Sequence, residues 1–291
     1  MVAAAHLPAA PGVPASTRAP RRRRLVAALC LAVGLAGTHA GLAASAPASK
    51  PAPLIRDQRE LTIDGVPELW RLEWTSPPQP SCEAGSPYWY TCPCAGFSFG
   101  ERGQLDLVRL RAGREIERMP LAPLFASDDD AEGAEVVLRR VEPTHAETDG
   151  DLEDEQLADR VRARPSEPVL ELADYDHDGR ATEFLLQVES ESCGKRIMVA
   201  IGVSRGEPEL HVFHTEEHPE EPLYLRSDHW QTLRDEVSPV REVDWPCGDH
   251  ASPIETELEL SATRGGISVH ERVYGCGDLD ERQELMDESD R

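Results

Sequence analysis

Basic residues are scarce in this chain. Lys and Arg number 30 against 54 Asp and Glu, and the formal net charge is −24. A chain this acidic repels phosphate backbones and anionic headgroups, which argues against nucleic acid and lipid surfaces as partners and favours cations. Long apolar runs are lacking too. The one sizeable run follows Arg21–Arg24 and is about a dozen residues long, short of the ~20 that a membrane-spanning helix needs. There is no internal repeat with a period of about 20–50 residues, which excludes the common solenoids and propeller arrays. A Cys-x-x-Cys pair is missing, so a thioredoxin-like redox centre is not indicated. His-Glu-x-x-His and His-Gly-Gly-Gly are missing as well, which removes the usual marks of a zinc protease and of a lipase oxyanion hole.

What is present begins with an export pattern. Arg21–Arg24, the apolar run and the small residues after it form the three parts of a secretory signal, with Thr38–His39–Ala40 or Ala44–Ser45–Ala46 as cleavage sites. The expectation is a signal over residues 1–44 and a secreted or periplasmic chain, the alternative being an uncleaved segment that tethers it to a membrane. Removing that segment takes away Cys30 and five arginines and leaves the mature chain more acidic still. Six cysteines remain: Cys82, Cys92, Cys94, Cys193, Cys247 and Cys276. An even number in an exported chain suggests disulfides, and six allow about 15 connectivities. Cys92 and Cys94 are too close to favour each other. One arrangement joins Cys82 to one of them, the other to Cys193, and Cys247 to Cys276.

The Pro/Ala-rich stretch 45–58 reads as a linker and residues 59–276 as a β-rich globular region, with a candidate division near 126–167. Residues 277–291 read as an acidic tail. Trp70, Leu72 and Trp74 alternate with charges, the period of a strand with one buried face. Hairpins are expected around Asp64–Gly65, Ala112–Gly113, Gly206 and Gly265–Gly266. Helices are expected over Leu152–Val161 and Asp228–Glu236, the second with Ser227 as its N-cap. Stretches 127–135 and 147–156 are charge runs that read as solvated loops. The fold class predicted is mostly β: antiparallel sandwich or barrel-like sheets, one or two short helices, disulfide staples.

The most specific chemistry lies in "DYDHDGRATEF", residues 174–184. Asp174, Asp176 and Asp178 stand at alternate positions, and Gly179 allows a sharp turn where a β-carbon would clash. Calcium takes six to eight oxygen ligands, and the Arg180 carbonyl with Thr182 or Glu183 could complete the shell. The twelfth residue from Asp174 is Leu185 and the flanks read as strands, so this is not an EF-hand. The loop resembles the strand–loop–strand calcium site of FG-GAP/VCBS-type blades over about fifteen residues. It departs from that pattern at the ninth position, which is Thr182, with Glu183 one place late, and only one copy is seen. The resemblance implies a local calcium loop with a structural role.

Two catalytic patterns compete with that reading. "GVSRG" (202–206) matches the nucleophile elbow Gly-x-Ser-x-Gly around Ser204, but Pro208 and an alternating run follow where the elbow needs a helix. A triad would have to draw on Asp249 and then His250 or His270. "HVFHTEEH" gathers His211, His214 and His218, which could bind zinc on a helix but converge less simply on a strand. Cys-Gly-Asp at 247–249 and 276–278 reads as a tight turn beside a disulfide, and the aromatic stretch 87–99 as a small pinned core. The expected function is therefore non-catalytic: an exported binding or envelope-associated protein, calcium-stabilised, contacting a protein or a glycan. The alternative is an exported hydrolase using Ser204 or a histidine-bound zinc.

Overall fold

The computed structural model describes residues 52–82, 96–97, 99–126, 133–141, 144, 154–191, 195–264, 266–277 and 281–291. The signal segment, Cys92, Cys94 and Cys193, and most of the aromatic stretch and acidic loops lie outside them. The predicted class holds: the described residues form four antiparallel sheets and two α-helices, and none of the sheets closes into a barrel.

The first sheet runs β1 (Leu54–Ile63), β2 (Val66–Trp74), β5 (Leu105–Arg111), β6 (Arg114–Pro120). Its two hairpins turn where expected. Asp64 and Gly65 have φ of 50° and 79°, Ala112 and Gly113 of 50° and 73°, the left-handed pair that suits the twist of a two-residue turn. The alternation of β2 buries Trp70, Leu72 and Trp74 on one face. A short second sheet pairs β3 (Gln79–Ser81), β4 (Gly100–Gly103) and β7 (Val136–Leu138).

The third sheet is central. β9 (Arg196–Gly202) pairs with β8 (Glu183–Ser190) on one side, and on the other with β10 (His211–Val212) near its end and β11 (Leu225–Arg226) near its start. Val199 and Ile201 belong to one core with Trp70, Leu72, Leu107 and Phe184. Ala200 belongs to a second core with Trp230, Leu258, Leu260 and Val269. A strand buried on both faces needs an unbroken apolar run, which is why "IMVAIGV" shows no alternation.

The fourth sheet runs β12 (Val240–Trp245), β13 (Ile254–Thr263), β14 (Gly266–Cys276), β15 (Arg282–Asp290). Cys247 and Cys276 form the disulfide expected of them, with Cα atoms 5.6 Å apart. Gly248 beside it has φ of 77° and starts a short 3-10 turn, Asp249–Ala251. Cys82 is also disulfide-bonded.

Several boundaries differ from the sequence reading. β1 begins at Leu54, inside the stretch assigned to the linker, because Leu54–Ile63 pairs along its length with β2. The acidic tail contains β15, whose Glu288 is met by His270 and Arg272 of β14. Cross-strand cations thus neutralise charges that looked merely solvated. The helices are α1 (Asp154–Arg162) and α2 (Ser227–Asp235). Ser227 lies within α2 and Arg226 holds the cap position without a side-chain cap bond.

Candidate metal centre at the 174–183 loop

The loop closes on itself. Ala173 and Glu183 exchange both backbone hydrogen bonds, at 2.8 and 3.2 Å, so residues 174–182 form a loop at the mouth of β8. His177 at φ 54° and Gly179 at φ 90° supply its left-handed corners. Tyr175 points into the second core and meets Trp230 edge-on with ring centroids 5.8 Å apart. An apolar anchor at the second loop position turns its neighbours the other way.

Ligand oxygens of Asp174, Asp176 and Glu183 lie within 4.8 Å of one another. Backbone N–H groups hold them: Tyr175 donates to Glu183 Oε2 (2.8 Å), Asp178 to Asp176 Oδ1 (3.0 Å) and Gly179 to Asp174 Oδ2 (3.0 Å). Glu183 is fully buried, and Asp176 is 8% exposed. The other predicted residues are placed differently. Asp178 is buried, and its Oδ2 accepts the Arg205 N–H at 2.6 Å. The guanidinium of Arg180 pairs with Asp64 at 2.6 Å, whereas the ligand expected of this residue is its backbone carbonyl. The Thr182 hydroxyl backs onto Glu183 Oε1 and the Val203 carbonyl, each at 2.7 Å. Asp174 Oδ1 and Asp178 Oδ1 are shut from solvent without a hydrogen-bond partner.

Burial raises the Glu183 carboxyl to about 8, and the Asp176 and Asp174 charges push it the same way against the Thr182 and Tyr175 hydrogen bonds. Burial also raises Asp176 to about 6, reinforced by the charges of Asp178 and Asp174. The hydroxyl geometry agrees. Thr182 has one proton and two acceptors at 2.7 Å, so both contacts are satisfied when Glu183 carries a proton and donates to Thr182, which donates to Val203. Without a cation, burial favours a proton on Glu183. A hard cation among oxygen-only donors would take its place.

The Ser204 motif belongs to the same assembly. The Ser204 N–H donates to the Glu207 carbonyl (2.9 Å), and its Oγ accepts the Glu207 N–H (3.1 Å), so the serine closes a tight turn. No helix follows it, and the chain returns as β10. Asp249 pairs with Lys195, and His270 with Glu288 and Asp290, so neither faces Ser204 as a triad partner. Gly202 has a packing role: a β-carbon there would lie 2.3 Å from the Thr182 carbonyl oxygen. Of the three histidines, His211 and His214 face Glu207, whereas His218 Nε2 lies 3.3 Å from the Asp290 carbonyl. Sequence reasoning missed Gly202 and Glu207 as parts of this assembly. Nothing local marks them, because their partners lie across the sheet or across a turn.

No family model, no curated protein and no solved structure matches this chain.

Proposed function

We propose that this is an exported, disulfide-stabilised β-rich protein whose 174–183 loop holds a structural calcium ion, and that it acts by contact with a protein or glycan partner. The observation that carries the calcium reading is the convergence of the Asp174, Asp176 and Glu183 oxygens at a buried loop mouth. The donors are all oxygen, the preference of calcium rather than of zinc or copper. The ion would sit between the loop and the start of β8, beside the turn that Asp178 pins through Arg205. Its role there is to fix strands, because Tyr175 and Phe184, on either side, anchor the two cores. The resemblance to FG-GAP/VCBS-type loops supports the same local reading. Export rests on the N-terminal pattern of arginines, apolar run and small residues. Among the described residues no helix is long and apolar enough to cross a membrane.

The test is a thermal melt of the full chain with calcium and with chelator, alongside Asp176→Ala. Calcium at ~100 times its dissociation constant should stabilise the wild type by about 2.7 kcal/mol, a rise of several degrees for a chain this size. Asp176→Ala should lose that rise. An equal melting temperature with and without millimolar calcium would remove the ion from the reading.

A further inference from the structure

A second set of ligating side chains lies outside the 174–183 loop. His211 is on β10, and His214 lies two residues past the end of that strand. Their Nε2 atoms face the same oxygen, Glu207 Oε2, at 3.9 and 3.7 Å. The opposite ring nitrogens face backbone carbonyls: His211 Nδ1 is 3.0 Å from the Glu209 oxygen, and His214 Nδ1 is 2.9 Å from the Thr215 oxygen. A carbonyl oxygen only accepts, so each Nδ1 carries a proton and donates it. In a neutral imidazole the Nε2 is then a bare lone pair. Two such lone pairs thus lie near one carboxylate oxygen, and either a proton on a ring or a cation between the groups would satisfy them.

We propose that His211, His214 and Glu207 bind a borderline divalent transition metal, with zinc as the fitting ion. Two imidazole nitrogens and one carboxylate oxygen are a donor set that zinc accepts and calcium does not favour. The Nδ1–H to carbonyl bonds are supporting contacts that fix the tautomer leaving Nε2 free for a metal. The backbone that carries the carboxylate arm is also held in place. Glu207 sits in the turn closed by Ser204, the next carbonyl, that of Pro208, accepts from Arg109 Nη1 at 2.9 Å, and the Leu210 N–H donates to Glu117 at 2.7 Å. The ring centroids are 6.5 Å apart, so closing on an ion requires the half-exposed His214 to swing inward. Glu207 is 49% exposed, which leaves the remaining coordination positions open to water. The sequence offered three histidines here; the fold keeps two and supplies the third ligand from the turn before β10.

Metal-stripped full-length protein, saturated with calcium to occupy the oxygen-only loop, is titrated with Zn²⁺ by calorimetry and with Co²⁺ by visible absorption. The expected result is one zinc equivalent, with the intense visible bands of nitrogen-ligated, four-coordinate cobalt. His211→Ala/His214→Ala should weaken that site by more than about 100-fold, beyond the 10–100-fold typical of losing a supporting contact. Glu207→Gln alters only an exposed turn residue, so its weakened binding cannot be ascribed to misfolding. His218→Ala and Asp176→Asn should leave the site intact. Zinc bound equally by the double variant would overturn the proposal. So would no zinc uptake by the wild type, which would make the cluster an imidazolium–carboxylate pair.

Discussion

Glu68 and Glu183 are both glutamates with essentially no exposure, and their surroundings treat them in opposite ways. Glu68 lies on β2 and receives Arg109 Nε at 3.0 Å, Arg111 Nη2 at 2.6 Å and Trp70 Nε1 at 3.1 Å. Burial alone would raise its pKa, but those charged and neutral donors outweigh burial and hold it below the ordinary value. Glu183 has one backbone N–H, the Thr182 hydroxyl and two aspartates for company, so burial prevails and its carboxyl rises to about 8. A buried carboxylate keeps its charge where cations or enough hydrogen-bond donors are supplied. The fold supplies arginine to the first; the second is left for an ion or a proton. The first therefore reads as structure and the second as a site.

The comparison breaks most visibly at its paired end. Arg109→Ala removes the bidentate partner and leaves Glu68 buried beside Arg111 alone, which should cost about 3–5 kcal/mol, read as a lowered urea midpoint. Glu183→Gln in chelator should cost little, because the amide reproduces the protonated acid: its oxygen accepts from Tyr175 and its NH₂ donates to Thr182. The same variant should lose the calcium-induced rise in melting temperature. A loss of several kcal/mol in chelator would mean that Glu183 is charged and paired after all. Next in size is Gly202→Ala. Its β-carbon meets the Thr182 carbonyl, so β8 must shift, at about 1–3 kcal/mol by denaturant unfolding, with weaker calcium binding alongside.

The pH dependence sharpens the contrast further. An acid whose folded pKa is raised makes the folded chain bind more protons than the unfolded one. In chelator, the stability that Glu183 contributes is therefore full below about 4.5 and is lost as pH rises through about 8. Asp176 adds to the loss between about 3.8 and about 6. Glu68 runs the other way, its contribution present above the ordinary carboxyl value and lost on acidification through its lowered pKa. Calcium-free unfolding midpoints that fall from pH 5 to pH 8, with a calcium-induced gain that grows over the same interval, would show protons and metal competing for one cluster. A flat profile in chelator would sink that account.

Particular elements show how far the sequence could be read. The Trp70, Leu72, Trp74 alternation and the Asp64–Gly65 and Ala112–Gly113 turns placed the first sheet, because strand period and left-handed corners are local properties. The same alternation puts Glu68 in phase with those tryptophans and Arg109 in phase with Leu105 and Leu107. The buried pair is thus legible in the strand period. The apolar content of β15 is too low to mark it as a strand, and what keeps it in the sheet is pairing with β14.

Taken alone, the chain determined its β character, its hairpin turns and the spacing of acids in the 174 loop. These depend on neighbours within a few residues, whereas the Cys247–Cys276 pairing was one of many connectivities until the fold chose it. Tertiary structure decided which of those acids converge, paired the Arg180 guanidinium with Asp64 and brought the Ser204 turn against Asp178 through Arg205. It also aimed two of three histidines at Glu207. Those outcomes depend on how β8, β9 and β10 lie side by side. Lateral packing of distant segments, and the dielectric it creates around each carboxyl, is not written in local spacing.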